Sequence, residues 1–261
     1  MQYIASLSYG KDSIAMLEVI KRHNMPLDRI VHVEVMATDT IPADLPPMME
    51  FKAKADKIIK ERYGIEVEHL HAPKSYEEQF YTKYVKGGHI GRIYGFPCVK
   101  GAWCNSKLKM KPLNLLNKPN ITQYIGIAAD EPNRFHNLNE RKISPLVEHD
   151  IAEAEARKIC ESLDLLSPIY TQAARGGCWF CHNQSIGQLR LLRKQYPEYW
   201  ALMLKWDLDS PVTFRADGRT IHDFDRRFQL EDEGFLDKND KSFRWSMLDK
   251  GLNMRLFCDD F

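Results

Sequence analysis

The first two-thirds of the chain alternate short apolar runs with amphipathic helical patterns, and this alternation constrains the fold more than any other feature. The runs that indicate strands are YIASL (3–7), RIVHVEVMATDT (29–40), IEVEHLHAP (65–73) and ITQYIGIAADE (121–131). The helical patterns lie at 13–23, 48–64 and 151–163, the last with Asp150 as N-cap and Glu153 completing a capping box. Strands that alternate with helices predict an α/β fold with a doubly wound, mainly parallel sheet and helices on both faces.

The remaining third is mostly helical or irregular, so we divide the 261 residues into an α/β domain at 1–170 and a cysteine knuckle with a helical region at 171–261. Lys and Arg total 37 against 36 Asp and Glu, so the net charge gives no overall attraction to nucleic acid, and any basic surface must be local. No apolar run approaches the roughly 20 residues of a membrane span, and the first residues lack the layout of a signal peptide. We therefore expect a cytoplasmic protein without a membrane partner.

The segment SLSYGKDS, which ends at Ser13, follows the first predicted strand and leads into the first predicted helix. Gly10 permits a tight turn, and the first amides of the helix favour an anion. Ser8 and Ser13 supply hydroxyl groups, and Lys11 supplies a positive charge. Asp12 suits either a helix cap or a Mg²⁺ ion bound with phosphate. The segment therefore fits an ordinary capped turn or a cradle for phosphate; it is not a Walker loop, because the four-residue spacer and second glycine are missing.

The letters SYGKDS resemble the S-G-G-x-D-S pyrophosphate loop of the adenine nucleotide alpha-hydrolase superfamily, also called PP-loop ATP pyrophosphatases. Its members include phosphoadenosine phosphosulfate reductases, ATP sulfurylases and tRNA-thiolating enzymes. The resemblance covers residues 1–185 and departs from the motif at Tyr9, where the family has glycine. It implies that ATP phosphates and Mg²⁺ are bound by Ser8, Tyr9, Gly10, Lys11, Asp12 and Ser13. In this reading Lys11 and Asp12 are catalytic, because Lys11 neutralises phosphate charge and Asp12 holds Mg²⁺.

The resemblance also assigns residues after the later strands. In the family, backbone groups at the end of the second strand hold adenine, and the matching residues here are Val35 and Met36. The later segment GIAADEPNR resembles a family loop near the phosphates, which implies roles for Asp130, Glu131 and Arg134. A solvated turn that starts a helix explains the same three residues without a ligand.

Four of the six cysteines form two pairs. Cys98 and Cys104 are separated by five residues, and Cys178 and Cys181 form a C-x-x-C, whose turn aims both sulfurs at one metal. Four thiolates are enough for a zinc site or a [4Fe-4S] cluster, whereas a redox dithiol or buried inert thiols are the alternatives. Resemblance to the iron–sulfur members of the superfamily favours the cluster. Cys160, on an apolar helix face, is predicted to be a core thiol.

Two stretches near the predicted site are rich in lysine. The stretch 74–97 mixes aromatic and basic residues with four glycines, and it predicts a helix at 75–86 followed by a mobile connector. The stretch 96–113 contains Lys100, Lys107, Lys109 and Lys111. Such local positive charge suggests an anionic acceptor, either a nucleic acid such as tRNA or DNA, or a sulfonucleotide.

Three functions fit these features. The first is an ATP pyrophosphatase of the phosphosulfate-reductase-like branch that adenylates an acceptor and couples this to sulfur transfer through the four cysteines. The second is a phosphoadenosine or adenosine phosphosulfate reductase, although the tail around Cys258 lacks the reductase motif Glu-Cys-Gly. The third is a non-enzymatic, metal-stabilised module that binds a nucleotide or nucleic acid. A sulfur-donor protein and a second copy of the chain are the further partners that the first function allows.

Overall fold

A computed structural model describes residues 1–97, 102–136, 138, 140–172, 176–240 and 242–248. By contacts the chain forms two compact units. Unit 1 comprises Met1–Gln79 and Trp103–Trp179, and unit 2 comprises Phe80–Ala102 and Phe180–Phe261. The sequence-based division at residue 170 stays a prediction. Among the described residues, no helix has both the length and the apolar character that crossing a bilayer requires.

Unit 1 is built on a five-stranded sheet. Its strands are β1 (Gln2–Ser6), β2 (Arg29–Glu34), β3 (Val67–His71), β4 (Ile121–Ile125) and β5 (Lys142–Ile143). They lie in the order β3-β2-β1-β4-β5, and every pairing is parallel. The predicted α/β fold with a doubly wound parallel sheet is therefore confirmed.

Strand β1 occupies the centre of the sheet because both of its neighbours pair with it along its length. Ile4 lies opposite Arg29 of β2 and Gln123 of β4, and Ile4 and Ala5 are fully buried. The chain moves outward from β1 to β2 and β3 on one side, and then crosses to β4 on the other. Such a reversal of strand order opens a crevice at the carboxyl ends of the two strands, where ligands bind in folds of this kind.

Helices and short helical turns connect the strands of unit 1. They are α1 (Lys11–Arg22), α2 (Pro46–Tyr63), α3 (Tyr76–Phe80), a π-helical turn (Asn105–Met110), α4 (Lys111–Asn114), α5 (Pro132–Phe135), α6 (Pro145–Glu148), α7 (Glu153–Ser162) and α8 (Ile169–Gln172). Helix α1 buries Ile14 and Leu17 in the main core, and α2 ends at Gly64, whose φ of 71° is the left-handed cap expected of glycine.

Unit 2 contains three longer helices, α9 (Ile186–Gln195), α10 (Pro197–Asp209) and α11 (Ile221–Asp232). This confirms the mostly helical C-terminal region, in which Pro197 begins α10. Arg190 of α9 holds Glu231 of α11 through two hydrogen bonds, at 2.5 and 2.9 Å. Arg190 is therefore paired within the unit.

Two local predictions are wrong. The helix expected at 75–86 ends at Phe80, and the chain then forms a hairpin in which Lys83 bridges Ile93 and the Tyr84 ring stacks on Tyr94 at 4.2 Å. Asp150 does not cap α7: it has a left-handed φ of 54° and lies before the cap.

Gly126, directly after β4, lies in close contact with the first turn of α1. A Cβ atom at this position would lie 2.6 Å from the Ser13 backbone nitrogen and 2.7 Å from the carbonyl carbon of Asp12. These are backbone atoms in the first turn of α1, so they cannot rotate away as a flexible side chain would. The absence of a side chain at Gly126 lets β4 pack directly against the N-terminal turn of α1.

We expect Gly126→Ala to lower the free energy of unfolding by about 1–3 kcal/mol, because the added methyl group forces α1 away from β4. Urea unfolding followed by circular dichroism measures the change. Gly187→Ala is the matched control: the nearest atom to its Cβ is at 3.8 Å, and alanine is favoured within helix α9. Equal stability of Gly126→Ala and the native protein would contradict the close approach.

Candidate functional site

A cavity of about 700 Å³ lies in unit 1 at the carboxyl ends of β1 and β4. All six residues of the predicted phosphate loop, 8–13, line it. Its wall also includes Gly126, Tyr170 and Cys178. The phosphate loop and the first cysteine of the C-x-x-C therefore line one cavity.

Hydroxyl groups fix the shape of the phosphate loop. Ser13 Oγ accepts from the Ser8 backbone N–H at 3.1 Å and from Ser8 Oγ at 3.0 Å, and it donates to the Gly10 carbonyl at 2.9 Å. Gly10 precedes α1 in extended backbone and no side chain caps the helix there. The N-terminal amides of a helix then remain oriented toward the loop, where they favour an anion. The Lys11 N–H contacts a protein group, the Tyr170 hydroxyl, at 3.0 Å.

Lys11 lies between two carboxylates. Its Nζ is 3.0 Å from Asp12 Oδ1 and 2.9 Å from Glu153 Oε2. Burial alone would lower the pKa of Lys11, but the hydrogen bonds to Glu153 and Asp12 outweigh it and the pKa is raised. Burial raises the pKa of Asp12 although Lys11 opposes that shift. Lys11 therefore carries a full positive charge. The oxygens of a bound phosphate would replace the two carboxylates as its ion-pair partners.

Tyr9 has a left-handed backbone, with φ of 56°, and a completely buried side chain. A left-handed residue with a Cβ costs roughly 1–2 kcal/mol, which explains the glycine of the resembling motif. Here the Tyr9 hydroxyl donates to the Asp56 carboxylate and lies 3.4 Å from His69 Nε2, which in turn is 2.9 Å from Asp56. The side chain thus anchors the loop to α2 and β3.

Behind Tyr9, a buried histidine and lysine form a second contact set. His32 Nδ1 donates to the Leu7 carbonyl at 2.9 Å, and its Nε2 accepts from Lys52 Nζ at 2.9 Å. Lys52 is also 2.6 Å from Asp44. Burial, reinforced by the charge of Lys52, lowers the pKa of His32 to about 3. His32 is therefore neutral and supports the end of β1 from the floor of the cavity.

The two residues assigned to adenine share a second cavity, and only Val35 also reaches the phosphate loop's cavity. Val35 lines the 700 Å³ cavity, whereas both Val35 and Met36 line a neighbouring one of about 270 Å³. The Val35 carbonyl accepts from Ala43 N–H, and the Met36 carbonyl accepts from Tyr76 N–H, each at 2.8 Å. Each carbonyl keeps a second lone pair, so the adenine assignment stays a prediction.

The three residues assigned to the later loop also separate. Glu131 and Arg134 line the cavity, and Arg134 Nη1 lies 2.7 Å from both carboxylate oxygens of Glu131. Asp130 is exposed and accepts from the Glu153 backbone N–H at 3.0 Å, so it caps α7 from a distance in sequence.

The cysteines differ in their surroundings. Cys104, Cys178 and Cys181 are partly exposed, and Cys98 lies outside the described residues. Within the described part of the chain, no group of three or more His, Cys, Asp or Glu side chains is arranged as a metal site. The four-cysteine centre therefore stays a prediction. Cys160 is a buried core thiol as expected, and burial raises its pKa to about 12.

Comparison with solved structures shows a distant likeness to a tRNA-modifying protein. The U34-tRNA thiolase NcsA from Methanococcus maripaludis, solved with its [4Fe-4S] cluster, has 14% sequence identity to this chain. The match covers 97% of this chain and 81% of that chain, with a TM-score of 0.38. No protein-family model and no curated protein matches the chain. The function proposed below therefore rests on the site itself.

Sequence reasoning missed several residues that shape the site. Lys52 had a readable signal, since it falls at helical spacing between Met48, Phe51 and Ala55 on the buried stripe of α2. A charge on such a stripe indicates a buried ion pair. Tyr170 and Glu153 had no such signal, because only the folding of the chain brings them to the loop.

We expect the depressed pKa of His32 to make stability fall in acid. The unfolded chain binds a proton at His32 near pH 6.5, whereas the folded protein does not do so until about pH 3. Stability is therefore fully present above pH 6.5 and is lost progressively between pH 6.5 and 3, by about 2 kcal/mol at pH 5.

Urea unfolding at pH 8 and pH 5 checks this for the native protein and for His32→Gln, which lacks the titrating ring. The other histidines contribute equally to both proteins, so the difference in pH dependence reports His32. Identical pH dependence in the two proteins would show that His32 titrates normally.

Proposed function

We propose that this protein is a PP-loop ATP pyrophosphatase that adenylates a nucleic-acid acceptor and couples the adenylation to sulfur transfer. The observation that carries the proposal is the shared cavity, which both the loop at 8–13 and Cys178 line. A cavity of about 700 Å³ lies in the range of small-molecule and cofactor sites.

In the first step, an oxygen of the acceptor attacks the α-phosphorus of ATP. The bond from that phosphorus to the bridging oxygen of the β-phosphate breaks, and pyrophosphate leaves with Mg²⁺. Lys11 exchanges its carboxylate partners for phosphate oxygens and offsets the charge that develops on the leaving group. The released Asp12 carboxylate is then available as an oxygen ligand for Mg²⁺.

In the second step, sulfur at the sulfide level attacks the acceptor carbon that carries the adenylated oxygen. The carbon–oxygen bond breaks and AMP leaves, so no electrons are gained or lost. Cys178 is suited to help hold the group that binds this sulfide, since it is partly exposed and lines the same cavity. A [4Fe-4S] cluster or Zn²⁺ held by Cys98, Cys104, Cys178 and Cys181 would bind the sulfur, and thiolates suit either group.

A nucleic acid is the acceptor that we infer from the local positive charge. Lys109, in the π-helical turn, lines the cavity; Lys107 precedes it in the same turn, and Lys111 begins α4. We propose tRNA or DNA as the acceptor, with a sulfur-donor protein and a second copy of the chain as further partners. Sulfite production from a phosphosulfate nucleotide without ATP turnover would instead favour the reductase.

We expect Lys11→Met to reduce pyrophosphate release by at least about 100-fold, because the positive charge beside the leaving group is lost. The assay contains ATP, Mg²⁺ and total tRNA or DNA, and it measures pyrophosphate and AMP.

Lys54→Met is the matched control, because Lys54 also loses an ion pair, at 2.5 Å to Asp164, but both side chains are exposed and neither lines the cavity. It should retain the native rate. A Lys11→Met protein as fast as this control would refute the assigned role.

We expect Cys178→Ser to separate the two steps. Adenylation does not use the thiol, so pyrophosphate release should remain within about threefold of the native rate, whereas sulfur incorporation into the acceptor should be lost. Mass spectrometry of the digested nucleic acid measures the incorporated sulfur. Sulfur incorporation at the native level would exclude Cys178 from the transfer.

A further inference from the structure

Tyr170 makes an unusual contact with the phosphate loop. Its hydroxyl oxygen accepts a hydrogen bond from the Lys11 backbone N–H, the first amide of α1, at 3.0 Å. The two residues are 159 positions apart in the chain, so the contact arises only in the folded protein. Tyr170 itself lines the 700 Å³ cavity.

The contact occupies one of the amides that the helix N-terminus offers to an anion. A hydroxyl group is both acceptor and donor, and here its acceptor side is used. No described residue accepts a hydrogen bond from the Tyr170 O–H, so its hydrogen is available to a ligand in the cavity. Donation by the amide also polarises the hydroxyl and makes it a better donor.

We propose that Tyr170 is a phosphate-binding residue. Its hydroxyl oxygen accepts the hydrogen bond from the Lys11 N–H, and its hydrogen is donated to a phosphoryl oxygen of the bound nucleotide. This inference rests on the nucleotide site proposed above and adds a ligand residue that the loop sequence does not contain. The hydroxyl extends the reach of the helix N-terminus into the cavity by the length of one hydrogen bond.

Gly10 leaves room for this arrangement. A Cβ on Gly10 would lie 3.3 Å from the Tyr170 hydroxyl oxygen and 3.4 Å from Ser8 Oγ. A contact of 3.3 Å is tighter than ordinary van der Waals contact, so a side chain at this position would require the hydroxyl to shift by a few tenths of an ångström. The glycine thus serves the approach of Tyr170, since its own backbone is extended and does not require glycine.

The place of Tyr170 in the chain connects the loop to the cysteine. Tyr170 belongs to α8, and Gly176, Gly177 and Cys178 follow on the same cavity wall. Trp179 then fixes the chain through hydrogen bonds to the carbonyls of Ala43 and Pro42, both at 2.9 Å. Tyr170 and Cys178 therefore line the same cavity as the phosphate loop.

The test is isothermal titration calorimetry of the full chain with ATP and with inorganic pyrophosphate, both in Mg²⁺. We expect Tyr170→Phe to weaken both ligands about tenfold, because one hydrogen bond to a charged oxygen is lost. The Phe variant keeps the ring and removes only the hydroxyl. Tyr63→Phe is the matched control: its hydroxyl donates to Glu18 at 3.2 Å, and it does not line the cavity, so its affinities should equal those of the native protein.

Gly10→Ala provides a second route if Tyr170→Phe folds poorly, because it displaces the same hydroxyl without deleting it and should also weaken pyrophosphate. Native or tighter affinity in Tyr170→Phe would overturn the proposal and would mean that the hydroxyl competes with phosphate. Equal weakening in Tyr63→Phe would overturn it as well. If the native protein binds and turns over ATP while Tyr170→Phe is unaffected, only this inference fails; if the native protein binds neither ligand, the proposed function fails with it.

Discussion

The conformation of the loop at 8–13 depends on the buried side chain of Tyr9. The backbone at Tyr9 is left-handed, which is unfavourable for a residue with a side chain. The hydrogen bond from its hydroxyl to Asp56, and the ring contact with His32 at 4.7 Å between centroids, compensate for that cost. The resembling motif has glycine here, which adopts a left-handed backbone without strain. This chain has tyrosine instead, and its hydroxyl group is held by Asp56. The loop is thus held from behind, and its other face is left to the cavity.

The elements that depend on local pattern were predictable from the sequence. The apolar runs located four of the five strands. Placement of the phosphate loop at the carboxyl end of β1 followed from the order of one strand and one helix. The second strand is shorter than predicted, because the chain turns back at Met36 to bridge Pro42, and an apolar run does not reveal such a turn.

The features that depend on distant contacts were not predictable. Asp150 has the sequence signature of an N-cap, but Asp130 approaches the first turn of α7 from 23 residues away and accepts from Glu153. The segment after Phe80 has helical spacing, yet pairing of Tyr84 with Tyr94 favours a hairpin. In both cases a tertiary contact replaces the local preference, and its partner cannot be identified from spacing alone.

Carboxylates and basic side chains are nearly balanced in number around the cavity that contains Lys11. Among the described residues that line it, the carboxylates of Asp12, Asp44, Glu131 and Glu153 face three cations, Lys11, Lys109 and Arg134. A bare polyanion meets no surplus of positive charge there and would have to break existing pairs to enter. When a polyanion enters together with a divalent cation, Lys11 can pair with the anion and its former carboxylate partners can bind the metal. Such a cavity therefore favours the metal complex of a polyanion over the bare polyanion.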